Sequence, residues 1–333
     1  MPAKFGVFLV VLFFVLFPDP RLFIRQIERV RNLEQMVTPD APELMPLEAA
    51  VRATLYERHE YESALKNDKS TGQTPRTFSQ KSVLAAFDGK IPADFSNDVV
   101  QNSTARPVRF LHDLSAFAPR VVQQVVENLV YREVRYQWDW EVWGVADYMP
   151  TVAEMFEQAR KAPDGVLRED CDGRAVMAAS LMRRLGYKSE LVTDLKHVWV
   201  MTPQGEFMGP GGRKAVRSTP EGNRTDLGTA LLNIPIAMSF GVMVFPLSRE
   251  LILVATALLL LLHRRMSWRA AAIGGLLLFQ GLFFMRFRYI IPSESAEAES
   301  SLPSWIGFGH ILGGLIFLLR ASCIARRRAT AAQ

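Results

Sequence analysis

The chain has 333 residues, 49% of them hydrophobic, and its 39 Lys and Arg against 34 Asp and Glu give a formal charge of +5. That length allows one or two folded domains with additional segments. The charge does not indicate nucleic-acid binding, because the Arg residues cluster beside apolar runs, where they record membrane orientation. Of the two cysteines, Cys323 follows the last apolar run and precedes "ARRR", at a membrane surface and away from Cys171. No disulfide framework is expected, and cysteine usage does not indicate a compartment.

The first apolar run is Phe5–Phe17, after Lys4. It is short for a membrane span and has the length of a signal-peptide core. "PDPRLF" follows in place of an A-x-A cleavage site, so residues 1–17 read as an uncleaved N-terminal anchor, with a buried core helix as the alternative. Residues 18–117 read as a lead-in region of helices and loops. "LFIRQIERVRNLEQM" has helical spacing, and "NDKSTGQTPRTFSQKS" (67–82) is a loop with little to bury. "APRVVQQVVENLVYREV" is an amphipathic helix whose face of Val121, Val122, Val125, Val126, Leu129 and Val130 belongs to a core, not to a cofactor box.

An aromatic stretch follows with Trp138, Trp140 and Trp143, which either lines a groove or closes a core. "PTVAEM" starts a helix with Thr151 as N-cap and Glu154 three residues on, a capping-box pattern. In "EDCDGRAVMAASLMRRLG", Asp170 is the natural N-cap, Cys171 falls in the first turn and Gly186 stops the helix. Three acids in "EDCD" do not suit a deep core, which argues against Cys171 as an ordinary buried thiol. "SELVTDL" and "HVWVM" alternate as strands, "TPQG" is a turn, and "EFMG" returns as a third strand. The element order is therefore a Cys helix followed by an antiparallel sheet, with His197 at the start of the middle strand. Free N–H groups at the helix start favour a thiolate, and an imidazole on a facing strand can exchange its proton. Flanking anions oppose the thiolate. A metal site of Cys171, His197 and an Asp is disfavoured, since paired Cys and His-x-x-x-His spacings are missing.

Beyond residue 227 come four apolar runs, 231–247, 250–262, 270–285 and 304–319, giving a C-terminal membrane region (228–333) of three or four helices. Loop 263–269, with Arg264, Arg265 and Arg269, reads as cytoplasmic, the acidic loop after the third run as external, and the "RASCIARRR" tail as cytoplasmic. If 231–247 crosses, there are five spans and the soluble domain is cytoplasmic, which Arg21, Arg25, Arg29 and Arg31 favour. If it does not, there are four and the domain is outside. Asn233, Pro235 and Pro246 weaken 231–247 as a span, and the extracytoplasmic side is favoured. The membrane segments carry almost no ionisable residue besides His310, which argues against a transporter.

"EDCDGRAVMAASLMRRLGYKSELVTDLKHVWV", with "DYMPTVAEM" upstream, resembles the core of the transglutaminase-like superfamily, of papain-like fold, over about residues 118–212. The resemblance implies an α+β transglutaminase-like domain (118–227), a Cys helix packed on an antiparallel sheet, joined to α-helical transmembrane segments. It implies Cys171 as nucleophile and His197 as general base, with an oxyanion donor from the aromatic lead-in or the Cys171 N–H. The family's third member, an Asp on the strand after the His, is replaced: with "TPQG" as the turn, Met201 faces Glu206, Val200 faces Phe207, Trp199 faces Met208, and His197 lies near Gly209–Pro210. Asp194 and Asp172 are the possible substitutes. The expected activity is attack on amide carbonyls to give an acyl-enzyme, in a bacterial-type inner-membrane protein; the alternative is a catalytically impaired binding or scaffold module. The expected partners are the bilayer and a protein or peptide substrate, with no nucleic acid, cofactor or metal.

Overall fold

The computed structural model describes residues 2–68, 114, 117–194, 197–209, 216–219, 222–287 and 302–330. Most of the expected loop at 67–82, Pro210 and most of the acidic loop before residue 302 lie outside them. The chain is mostly helical with small sheets.

Helix α1 (Pro2–Leu16) is apolar apart from Lys4. Asp19 and Pro20 then restart the chain, with the Asp19 carboxylate accepting the Arg21 N–H, and α2 (Pro20–Arg31) leaves at 84° to α1. Buried Gln26 fastens α2 to a distant loop: its amide donates to Asp147 at 2.9 Å and accepts the Met149 N–H at 2.7 Å. A short α3 (Leu33–Met36), a 3-10 turn (Pro42–Leu44) and α4 (Met45–Asp68) follow.

Helix α5 (Pro119–Glu133) buries Val122, Val125, Val126, Leu129 and Val130 as its pattern predicts, with Val121 partly covered. Strand β1 (Val134–Tyr136), which the sequence pattern did not mark, pairs in parallel with β2 (Leu167–Glu169). Between them lie α6 (Asp139–Val142) and α7 (Val152–Lys161). The α7 capping box forms as expected: the Glu154 N–H donates to Thr151 Oγ1 at 3.3 Å and the Thr151 N–H to Glu154 Oε2 at 2.9 Å.

Helix α8 (Cys171–Arg184) is the centre of the core. From Ala175 to Met182 every residue is buried, so the helix is enclosed on all sides. It ends through Gly186 at φ +89°, a left-handed conformation that costs glycine nothing. Its last-turn arginines clamp α3, the Pro39 segment and the first turn of α4. Arg183 holds Glu34, and Arg184 donates to Glu48 at 2.6 Å and to the Pro39 carbonyl at 3.0 Å. Residues 36–55 and 114–207 therefore share one hydrophobic core.

Strands β3 (Glu190–Thr193), β4 (Val198–Thr202) and β5 (Gly205–Phe207) form an antiparallel sheet in the order β3-β4-β5, and α8 packs on β4 and β3. A hairpin, β6 (Val216–Thr219) and β7 (Gly222–Thr225), leads into the C-terminal helices.

Those helices are α9 (Leu227–Val244), α10 (Leu247–Leu261), α11 (Trp268–Arg286) and α12 (Leu302–Thr330). Among the described residues α9, α11 and α12 are long and apolar enough to cross a membrane. Run 231–247, weakened in the sequence by its prolines, thus lies as far as Val244 in a helix of spanning length, and Pro246 falls at the break before α10. The 250–262 run is the short one: α10 has 15 residues, about 22 Å at 1.5 Å per residue, against a hydrocarbon core of about 30 Å. It packs antiparallel to α1, with Lys4 donating to the Leu260 carbonyl and Arg249 to the Val15 carbonyl. Large apolar side chains such as Phe5, Phe14, Leu232, Leu259, Phe279, Phe283 and Ile316 point outward. Such a surface suits lipid.

Helices α11 and α12 pair closely and antiparallel, with Gly281 against Gly307 and Gly274 against Leu318. A Cβ on Gly281 would stand 2.7 Å from the Gly307 carbonyl oxygen. Small residues that let backbones approach are the usual basis of helix association in lipid.

Candidate functional site

Cys171 is the first residue of α8, half-buried and unbridged. The Asp170 carboxylate caps the helix by accepting the Asp172 N–H at 3.2 Å. Packing of β4 on α8 brings the Val198 N–H to the Cys171 thiol, where it favours the anion. Protein crowding and the Asp170 charge act more strongly the other way, and the net effect pushes the thiol up. The helix start and β4 thus meet at Cys171.

His197 stands one residue before β4, not within it. Its backbone is held in a tight turn: its N–H donates to Asp194 Oδ1 at 3.0 Å, and its carbonyl accepts the Asp194 N–H at 3.0 Å and the Thr193 hydroxyl at 3.3 Å. The Asp194 carboxylate therefore serves the His197 main chain. The His197 ring meets Phe240 of α9 edge-on at 6.4 Å.

The expected register holds for Met201–Glu206 and Val200–Phe207 and then stops. Met208 turns to φ +57°, and its N–H donates to Glu127 at 3.2 Å. The ladder therefore does not extend to Trp199–Met208, and Gly209 leaves the sheet exposed, without strand pairing to align it with His197.

The acids around Cys171 overturn one sequence argument. Glu169 is 0% and Asp172 3% exposed, while Cys171 between them is the more accessible residue. Asp139, at the start of α6, joins them at 3%. Burial, with the neighbouring Asp170 charge, holds all three carboxyls well above the ordinary range. Asp172 turns one oxygen to the Gly173 N–H at 2.9 Å.

No family model, curated protein or solved structure matches this chain.

The aromatic lead-in serves both as wall and as joint. Trp143 donates its indole N–H to Glu169 Oε1 at 2.8 Å and packs on Tyr148. Trp138 lies edge-on between Tyr136 and Phe240, and Trp140 lies against Phe245 with the Arg249 guanidinium 3.3 Å from its ring centre. Arg174 lies over the Tyr131 and Tyr136 rings and donates to the Val134 carbonyl. The sequence pattern draws attention to the tryptophans and places Glu169 among acids expected at the surface, while Asp139 stands in no motif of its own. The available signal was an Asp lodged between Trp138 and Trp140, since an acid inside an aromatic run needs partners when that run is buried.

Proposed function

We propose that the chain is a membrane-anchored cysteine enzyme of transglutaminase-like type, acting on amide carbonyls. The observation that carries this reading is the meeting of the α8 N-terminus with β4 at Cys171, one residue from His197. In the reaction Cys171 gives its proton to His197 and the sulfur attacks the carbonyl carbon. The tetrahedral oxyanion collapses, the C–N bond breaks, and the leaving amine takes the proton from imidazolium. Water or a second amine then cleaves the thioester. The test is covalent labelling of Cys171 by a peptide-like electrophile at neutral pH, alongside turnover. Cys171→Ala should abolish both, and His197→Ala should slow both by about 100-fold. Turnover by the Cys171→Ala protein would refute the reading.

A second reading, a binding or scaffold module on the same architecture, is favoured by Gly209 leaving the ladder and by Asp194 serving the His197 main chain. It predicts wild-type folding and no Cys171-dependent turnover.

We infer further that the soluble domain lies on the extracytoplasmic side. Trp140 contacts Arg249 and Phe245, where the α11 C-terminus also arrives through Arg286, bonded to Glu250 at 2.9 Å and to the Phe245 carbonyl at 3.1 Å. Lys4 meets the opposite end of α10, next in sequence to Arg264 and Arg265. Basic loops mark the cytoplasmic side, so the domain belongs at the other end. Helix α9 packs on α11 and α12 and meets the domain through Phe240; on this reading it does not cross, and the four crossings are α1, α10, α11 and α12.

A further inference from the structure

Four carboxylates converge at the start of α8. Asp139 comes from α6, Glu169 from the end of β2, Asp170 from the helix cap and Asp172 from the first turn, and each brings an oxygen within 4.8 Å of the others. The way their oxygens are used separates this cluster from an ordinary acidic surface. Asp139 Oδ2 accepts the Tyr148 N–H at 2.6 Å, Glu169 Oε1 accepts the Trp143 indole N–H at 2.8 Å, and Asp172 Oδ1 accepts the Gly173 N–H at 2.9 Å. The second oxygen of each, Asp139 Oδ1, Glu169 Oε2 and Asp172 Oδ2, is buried without a hydrogen-bond partner. These side chains belong to residues 3%, 0% and 3% exposed. Each buried carboxylate is thus fixed by one donor and keeps one oxygen idle.

Such an arrangement is strongly unfavourable unless something positive fills it. Among the described residues no Lys or Arg forms an ion pair with any of the four. Arg174, in the same helix turn, is committed to the Val134 carbonyl and two tyrosine rings.

We propose that Asp139, Glu169, Asp170 and Asp172 form a binding site for a hard divalent cation, with Ca²⁺ the preferred ion. The donors are all oxygen, which suits Ca²⁺, Mg²⁺ or Mn²⁺ over softer metals. Ca²⁺ binds oxygen at 2.3–2.6 Å, so ligands on opposite sides of it stand roughly 4.6–5.2 Å apart, against roughly 4.0–4.2 Å for Mg²⁺. The four oxygens lie no more than 4.8 Å apart, which admits either ion; four protein carboxylates favour Ca²⁺, because Mg²⁺ keeps several waters and takes one or two carboxylates. The donors come from two separate places in the chain, Asp139 and the stretch 169–172, so the ion would tie the aromatic lead-in to the junction of β2 with α8. Cys171 supplies no ligand, so ion binding does not need its thiol.

Trp143, bonded to Glu169, provides the readout. The full-length chain, purified in detergent and stripped with chelator, is titrated with Tb³⁺ under indole excitation, then with Ca²⁺ as competitor. Thermal melting is followed with and without Ca²⁺. The expected result is saturable sensitised emission, displaced by Ca²⁺, and a Ca²⁺-dependent rise in melting temperature. Cys171→Ala should keep both effects. Glu169→Gln and Asp172→Asn should each weaken binding at least tenfold; they are read side by side, so failure of one to fold leaves the other decisive. No saturable emission and no Ca²⁺ shift in wild type would overturn the site and leave shared protons holding the carboxylates together. Unchanged affinity in a folded variant would overturn it equally.

Discussion

Gly173→Ala offers a sharp test of how the α8 start is built. In an exposed helix this exchange adds up to about 1 kcal/mol of stability, because glycine loses more backbone freedom on folding. Here the added methyl would lie 2.6 Å from Glu169 Cγ, 2.7 Å from its Oε2 and 2.8 Å from its Cδ. Glu169 is fully buried and has nowhere open to retreat. If it stays, overpacking costs about 1–3 kcal/mol. If it swings away, the Trp143 N–H is left without its acceptor, a loss of about 1–3 kcal/mol. Either response outweighs the helix gain, leaving a net loss of about 1–2 kcal/mol. Thermal melting followed by Trp fluorescence should show a fall of about 2–4 °C per kcal/mol for a domain of this size. The same substitution in a Glu169→Ala background should be neutral or stabilising, since the obstacle is gone, and the two sites should couple by about 1 kcal/mol or more. A rise in melting temperature for Gly173→Ala alone would refute the packing of Glu169 over the first turn.

Gly281→Ala should loosen the α11–α12 pair and lower the melting temperature in detergent, because its Cβ would meet backbone atoms of Gly307 and Ile311 at 2.7 and 2.9 Å; Gly313→Ala, with open space around it, should leave melting unchanged. Burial raises the Glu154 carboxyl, but Arg29 at 2.8 Å, the Thr151 N–H and the Tyr148 hydroxyl together hold it below its ordinary value. The unfolded chain then binds the proton more readily, so this contribution is complete above about pH 4.5 and is lost as pH falls; Glu154→Gln should flatten the acid limb of a stability–pH curve, and an unchanged limb would count against the assignment. Reporter fusions at residue 150 and after residue 333 should fall on opposite sides of the membrane; the same side would mean that α9 crosses.

Much of the local structure was legible because it rests on short-range chemistry. The Asp170 cap, the Thr151–Glu154 box, the Gly186 stop and the Thr202–Gly205 hairpin each depend on residues within a few positions of one another. The parallel β1–β2 pair was not, since two three-residue strands more than thirty positions apart leave no periodic pattern. The length of the hairpin was misjudged for a tertiary reason: Glu127 on α5 takes the Met208 N–H and ends the ladder. At the membrane, prolines made run 231–247 look weak. Pro235 nevertheless lies inside α9, as is tolerated where neighbouring helices enclose the backbone.

The acids around Cys171 show why composition misleads at a site. A charged residue is read as solvated because burying it alone is prohibitive. That reasoning applies to isolated charges, and these are not isolated. Each of the three buried carboxylates finds one donor across a different contact: Tyr148 for Asp139, Trp143 for Glu169 and the helix N-terminus for Asp172. None of those contacts can be inferred from "EDCD". They also restrict what the thiol can do, because the group that caps the helix, Asp170, is the charge that opposes the Cys171 anion. Any reaction at Cys171 must therefore work against the same carboxylates that build the α8 start. An ion held between them would change the electrostatics of the nucleophile and the stability of its helix together.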